Sequence, residues 1–468
     1  MNLIYNVKDK PRFGQVLVFA FQQVLAILAA TIAVPTIIGN GMSQSAALFG
    51  AGVGTLVYLL FTKFRSPVFL GSSFAFIGSM FTAFAGAVSM SVGYLGLIMG
   101  AVFAGLVYVT LAIAVKFFGV KWINKLMPAA IIGPTVTIIG LSLAGNAIGD
   151  LTKGSVMKTV ENLVVNIPEG GLPQIGTETA LVPLASPYVA LICGLVTLAF
   201  TMIASVYGKK MVKMIPFIVG ITAGYAVAAI FTVIGNVAGI DALKVINFSL
   251  FENMQWVPDF TFLTAFSGNY DFGEMGSLGA YIGTIAVAYI PVAFVVFAEH
   301  IADHKNLSSI IGSDLLEEPG LHRTLLGDGV GSLVGAFFGG CPNTTYGESV
   351  GCVAISGNAS VVTILATAIM AIVASFVAPF VTFLATIPSC VMGGVCIALY
   401  GFIAVSGLKM IQKVDLNANR NLFVVSVILI AGVGGLTLEF GKVTITTIAC
   451  ALILGILANI LLSGKKAE

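Results

Sequence analysis

Apolar stretches of about 17 to 25 residues recur from Gln15 to Leu462, and they constrain this chain more than any other feature. A helix needs about 20 apolar residues to cross a hydrocarbon core of roughly 30 Å. Inside that core every backbone polar group must be bonded within the protein, which favours helices. Composition points the same way: a chain of 468 residues with 58% hydrophobic and 9% charged residues cannot cover a water-facing globule. The fold class expected is an all-α polytopic membrane protein, and the apolar segments number about 14.

Basic residues give the orientation. Eighteen of the 22 Lys and Arg fall in Lys8 to Arg12, Lys63/Arg65, Lys116 to Lys125, Lys209 to Lys213, Lys305/Arg323, Lys409 to Arg420 and Lys465/Lys466. The rest, Lys153, Lys158, Lys244 and Lys442, lie in the intervening loops. Placing the basic loops in the cytoplasm puts both termini inside, with an even number of spans. The first apolar stretch follows Lys8, Lys10 and Arg12 without an A-x-A-like cleavage site, and reads as a retained helix. A net charge of +2 carries no message about nucleic acid or acidic partners. Six cysteines without C-x-x-C spacing, mostly within or beside apolar segments, argue against disulfides and thiolate metal sites.

The chain also repeats itself. Gly52 opens GVGTLV and Gly329 opens GVGSLV; LGSSFAF (Leu70 to Phe76) follows the first and PNTTYGE (Pro342 to Glu348) the second. Ser72-Ser73-Phe74 thus parallels Thr344-Thr345-Tyr346, and MPAAIIG (Met127 to Gly133) parallels IPSCVMG (Ile387 to Gly393). With seven spans in each half, the halves insert in opposite senses, the inverted-repeat plan of secondary transporters. The polar-aromatic segments have strand-like composition, and Pro67 and Pro342 precede them. Each reads as a span that starts extended and turns helical, which is tolerated only inside protein or beside a watery cavity. Short antiparallel strands in spans 3 and 10 are therefore expected to pair near the midplane, with the half-helix N-termini aimed at a ligand.

Two carboxylates stand out for burial. Glu348 follows the second polar strand, and Glu299 ends the apolar run YIGTIAVAYIPVAFVVFAEH, with HIADHKN continuing beyond it. A charge at membrane depth costs at least about 2.5 kcal/mol, so such residues pair, protonate or bind something. His300 and His304 share a helix face, but the chain's third histidine is His322, in the loop text EEPGLHR. The order also differs from the H-E-x-x-H zinc signature. Proton handling by Glu299, Asp303 or a neighbouring histidine is favoured over metal binding. The chain has no G-x-x-x-x-G-K-[ST] loop, so an ion gradient would supply the energy; no cofactor is expected.

An ordered set of motifs carries a resemblance: QQVLAILAATIAVP, FLGSSFAF, AEHIADH, DLLEEPGLHR, PNTTYGESVG and MGGVCIALYG. By these the chain is similar to the nucleobase-ascorbate transporters, or nucleobase:cation symporters, and within them to the bacterial uracil permeases. The resemblance implies 14 spans. Spans 1–4 and 8–11 would form a core domain (residues 1–118 and 278–387), and spans 5–7 and 12–14 a gate domain (119–277 and 388–468). It further implies a homodimer in the cell membrane taking up uracil with protons by alternating access. Carried over by position, substrate carboxylates fall on Glu299 and Glu348, and aromatic contacts on Phe74 and Tyr346. Ser73 and Gly347 become strand backbone near the base, Ala30 a small contact in span 1, and Tyr400 a contact from the gate.

The chain departs from the family pattern in two motifs. Uracil permeases commonly carry E-H-x-G-H; here Asp303 occupies the place of the second histidine and His304 follows it, so proton coupling is assigned to Glu299, Glu348 and either Asp303 or His304. Ser349 stands where Asn usually follows the Glu or Gln of span 10. Glu348 favours uracil over xanthine or another purine, by analogy with relatives carrying Gln. An anion exchanger or channel of this architecture should place a basic residue near the strand pair, yet no Lys or Arg lies between Val68 and Val115 or between Thr324 and Leu408. An intramembrane enzyme would need a nucleophile, base and orienting group, which are not apparent.

Overall fold

The computed structural model describes residues 3–86, 88–119, 122, 128–166, 174–209, 211–440 and 443–464. Met127 of the third repeat motif and the basic residues Lys121, Lys125, Lys210, Lys442, Lys465 and Lys466 lie outside the described residues.

Helices dominate, and local sequence sets many of their limits. The first half opens with α1 (Phe13–Ile38), ended by Gly39 at φ 66°, and α2 (Gln44–Phe61), capped by Ser43 accepting the Ala46 N–H. Strand β1 (Leu70–Ser72) and the short α3 (Ile77–Ala83) follow, then α4 (Met90–Phe118). Next come α5 (Ala129–Ser142), α6 (Ala144–Asp150), and strands β2 (Met157–Asn166) and β3 (Gln174–Pro183). Helix α7 (Pro187–Tyr207), one-turn α8 (Met211–Met214) and α9 (Pro216–Ala238) lead through a loop to α10 (Thr261–Ala265). Pro187 and Pro216 stand at first helical positions, where a missing N–H costs nothing.

The second half begins with α11 (Leu278–Ile311), whose 34 residues span about 51 Å at 1.5 Å per residue. That exceeds the hydrocarbon thickness and carries the helix past Glu299, as the continuing text predicted. Helix α12 (Leu321–Gly339), β4 (Asn343–Thr345) and α13 (Gly347–Ser356) follow. Then come α14 (Val361–Ser375), α15 (Ala378–Thr386), α16 (Ser389–Ile411), α17 (Asn419–Val433), β5 (Leu438–Phe440), β6 (Val443–Ile445) and α18 (Thr447–Leu461).

Among the described residues, eight helices are long and apolar enough to cross a membrane; the α14–α15 pair, bent by 82°, raises this to nine. Helices α17 and α18 are apolar but shorter. The chain is a multi-pass membrane protein. The expected strands are present: β1 pairs antiparallel with β4 in the register Leu70↔Thr345, Gly71↔Thr344, Ser72↔Asn343. The first strand starts two residues before Ser72, so Ser73 and Gly347 fall just beyond the strands, Gly347 opening α13. Two further hairpins, β2–β3 and β5–β6, were not anticipated. The first is rich in Thr and Val, which suit a pleated surface, and was hidden by its place in a loop between apolar spans.

Close packing of α2 on α12 holds the strand pair. A Cβ on Gly54 would lie 2.7 Å from the Gly331 carbonyl oxygen, and one on Gly331 would lie 2.7 Å from that of Gly54. Only glycine permits this approach. These two are corresponding positions of GVGTLV and GVGSLV. Thr55 Oγ1 accepts the Leu70 N–H at 2.9 Å, and Asn343 Nδ2 donates to Gly50 O at 3.0 Å, fixing both strands to α2. All six cysteines are free and buried.

Candidate functional site

Half-extended spans leave backbone and small polar groups facing inward, and the structure collects them around a cavity of about 370 Å³. Its walls come from Glu299, Ala302 and Asp303 on α11, and Gly347, Glu348, Gly351, Cys352 and Ile355 on α13. Ala26 of α1 joins them, with Leu399, Phe402, Ile403, Ser406 and Met410 of α16 opposite. A smaller recess of about 60 Å³ shares Glu299, Gly347, Glu348 and Ile403 with it and adds Ser73, Phe74, Thr345 and Tyr346. With four residues shared, the two together line the way from the strand pair toward Met410, the neighbour of Lys409.

Glu299 and Glu348 thus converge on these hollows from different helices. Glu348 lies in the first turn of α13, where the helix presents unpaired N–H groups. Such an end favours negative charge. Ser73 is buried with its Oγ lacking a hydrogen-bond partner. Phe74 closes the recess and meets Tyr400 edge-on at 5.9 Å between ring centroids. Tyr346 is held by its hydroxyl donating to Ser72 O at 2.9 Å.

Other expected residues are placed differently. Tyr400 lies behind Phe74 and is not among the lining residues of either hollow. Ala30 is buried and likewise absent from both linings, while Ala26, one turn earlier on α1, takes part. Asp303 lines the cavity, and its Oδ2 accepts from Thr345 Oγ1 at 2.8 Å. A Cβ on Gly347 would lie 3.8 Å from Asp303 Oδ1, which puts this carboxylate beside the start of α13. His304 turns away: its Nε2 is 2.7 Å from Tyr58 OH and its Nδ1 2.8 Å from His300 O.

Several residues escaped the sequence reading. Asp328, 1% exposed, sits with Oδ2 2.6 Å from His300 Nδ1, while His300 Nε2 lies 2.9 Å from Thr324 Oγ1. Its text, GDGVGSLV, was informative only as a repeat. Lys213 of α8 lines the cavity although it lies in a basic loop in sequence. Ser349 has a buried role: its Oγ accepts from Gln23 Nε2 at 2.5 Å and from the Phe69 N–H at 3.1 Å. It ties α13 to α1 and to the residue before β1. Gln23 lay within the quoted QQVLAILAATIAVP, but nothing in that text marks its partner.

Residues 14–440 match the Permease family (Xan_ur_permease). The uracil permease of Bacillus caldolyticus is 36% identical over 465 residues, covering 99% of this chain and 95% of the relative. That of Bacillus subtilis (strain 168) is 34% identical over 467 residues (99% and 96%), and that of Escherichia coli (strain K12) 31% over 454 (96% and 92%). Among solved structures, the transmembrane domain of the cyanobacterial bicarbonate transporter BicA superposes with a TM-score of 0.61 at 16% identity, covering 97% of this chain and 99% of that one. The inward-facing murine anion transporter Slc26a9 gives 0.63 at 12%, covering 97% and 69%. These two share the fold. Near-complete coverage by the family and by relatives above 30% identity establishes that this chain belongs to the Permease family of nucleobase:cation symporters.

Proposed function

We propose that this protein is a proton-coupled uracil symporter of the cell membrane that works by alternating access. One observation carries the reading: Glu299, Glu348 and the unpartnered Ser73 hydroxyl meet in a single hollow at the strand pair. Uracil presents ring N–H donors and carbonyl acceptors on one planar edge. Ionised carboxylates can accept from the N–H groups, while Ser73 Oγ and the first N–H groups of α13 can donate to the carbonyls. Phe74 and Tyr346 supply aromatic walls for the ring. The uracil permeases among the relatives support this cargo over a purine.

Fourteen passages fit the helices: eight full spans, the bent α14–α15, the shorter α17 and α18, the broken β1–α3 and β4–α13, and α12. The reciprocal Gly54–Gly331 approach and the antiparallel strand pair are what a two-fold axis between inverted repeats would produce. Residues 1–118 and 278–387 then form the core and 119–277 with 388–468 the gate, and the Phe74–Tyr400 contact crosses between them. The hollow runs along α16 toward Lys409 and includes Lys213, so positive-inside placement makes this an inward-facing state with cytoplasmic termini. A proton would ride on the cluster of Glu299, Glu348 and Asp303; the cavity position of Asp303 favours it over His304 as the substitute for the family histidine. A homodimer in the bilayer completes the reading.

Lys213 is the observation that favours an anionic cargo, but three carboxylates line the same cavity. Uptake of labelled uracil by proteoliposomes under an imposed proton gradient tests the proposal, with competition by xanthine and by bicarbonate separating the alternatives. Glu299→Ala and Glu348→Ala should each abolish uptake; unaltered transport in either would sink the site assignment.

A further inference from the structure

Each of the half-helices that follow the paired strands, α3 and α13, ends in a linker, and each linker is bonded by a serine to chain that enters the first helix of the other repeat. After α3, Ser89 Oγ donates to Asn269 O at 2.8 Å and accepts the Asp271 N–H at 3.1 Å. The Ser89 N–H donates to Asp271 O at 2.9 Å, and the Glu274 N–H to Gly86 O at 3.0 Å. After α13, Ser360 Oγ donates to Asp9 O at 2.7 Å. Around it the Ile4 N–H donates to Gly357 O at 2.7 Å, the Ala359 N–H to Tyr5 O at 2.9 Å and the Val361 N–H to Val7 O at 3.1 Å.

The correspondence is close. Ser89 and Ser360 are 271 positions apart, against 272 for Ser72 and Thr344, and they occupy the N-cap positions of α4 and α14. An N-cap serine ordinarily accepts a first-turn N–H through its hydroxyl. Ser89 Oγ accepts the Val92 N–H at 3.4 Å, whereas Ser360 makes no such bond. Asn358 Oδ1 takes the Ser360 N–H at 2.9 Å, the Thr363 N–H goes to Ser360 O, and the hydroxyl donates to Asp9 O. Because β1 and β4 run antiparallel, α3 and α13 leave the midplane in opposite directions, and the two serines lie toward opposite faces. One tether is the basic segment before α1; the other ends the acidic stretch from Asp241 to Glu274.

We infer that Ser89 and Ser360 are a matched pair of positioning residues, latching the trailing ends of the two half-helices that follow the strand pair beside the pocket. Helix α13 is only 10 residues, about 15 Å, so play at Ser360 is delivered to Glu348. The latches stay closed while the core moves, keeping pocket geometry the same on both sides of the membrane. This rests on the transport function proposed above.

The test uses purified full-length protein and uracil as the probe. Ser360→Ala should weaken uracil binding about three- to tenfold, the worth of one hydrogen bond, with turnover within about twofold. Ser360→Thr should restore the affinity. A Tyr5→Cys/Asn358→Cys pair, placed at the bridge between the segments, should cross-link without loss of transport relative to its reduced form. Unchanged affinity in Ser360→Ala, or a cross-link that stops transport, overturns the latch; the cross-link decides alone if the alanine variant does not fold. Absence of uracil binding in the unaltered protein would instead overturn the proposed function.

Discussion

Replacing Ser349 with alanine tests how the carboxylate of Glu348 is held. The hydroxyl accepts from Gln23 Nε2 at 2.5 Å and from the Phe69 N–H at 3.1 Å, and Ser349 and Phe69 are both fully buried. Alanine would orphan the Phe69 N–H, at about 1–3 kcal/mol for a buried donor. Gln23 would keep a weaker bond to Ser349 O at 3.3 Å, so its loss is partial. The total comes to about 2–4 kcal/mol. Phe69 leads into β1, and Ser349 adjoins Glu348, so part of that energy should appear as weaker ligand binding, about tenfold. Thermal unfolding of the purified protein, with and without uracil, reads both quantities. Ser349→Thr keeps the oxygen and should retain most of each. Ser349→Asn should overpack this site, and shortening the partner by Gln23→Ala should relieve it, giving a non-additive double mutant. A Ser349→Ala protein as stable as its parent, binding uracil within twofold, would refute the tether.

Two further outcomes are expected. Asp303→Asn should keep uracil binding within about tenfold while suppressing proton movement accompanying uptake, and Asp303→His should restore that movement; tenfold in binding corresponds to 1.4 kcal/mol, and a pH-sensitive dye inside proteoliposomes reads the protons. Gly54→Ala should cost about 1–3 kcal/mol by forcing α2 from α12, while Gly78→Ala, with nothing within 4 Å of its added Cβ, should be tolerated; thermal unfolding compares the two.

Much of the fold was legible because the membrane imposes a simple rule on sequence. Apolar length marks a span, and a polar-aromatic interruption such as GSSF or NTTY marks a broken one, since extended backbone there needs a protein partner. The recurrence of those interruptions foretold that β1 and β4 would pair. The β2–β3 hairpin was not legible, because a loop between spans is free of the rule that made the rest readable. Glu299 and Glu348 could be selected because burial of a carboxylate is costly and both stand in apolar text. Asp328 could not, since a glycine-rich helix gives no sign of which neighbour will satisfy an acid.

The sequence by itself determined the membrane as solvent, the order of the apolar segments, the recurrence of the strand-forming interruptions, and two of the acids that the fold buries, Glu299 and Glu348. These follow from one-dimensional properties: length, hydropathy and spacing. Tertiary structure decided which groups share the cavity. It turned Asp303 toward the cavity and His304 away from it into the packed core though they are neighbours, chose Ala26 over Ala30 one helical turn away, and drew Lys213 to the cavity wall from a basic loop. It also gave Ser349 its partners, 326 and 280 residues distant. Such contacts depend on the rotation and crossing of packed helices, and a shift of one residue along a helix turns a side chain by about 100°, a difference that composition and spacing do not encode.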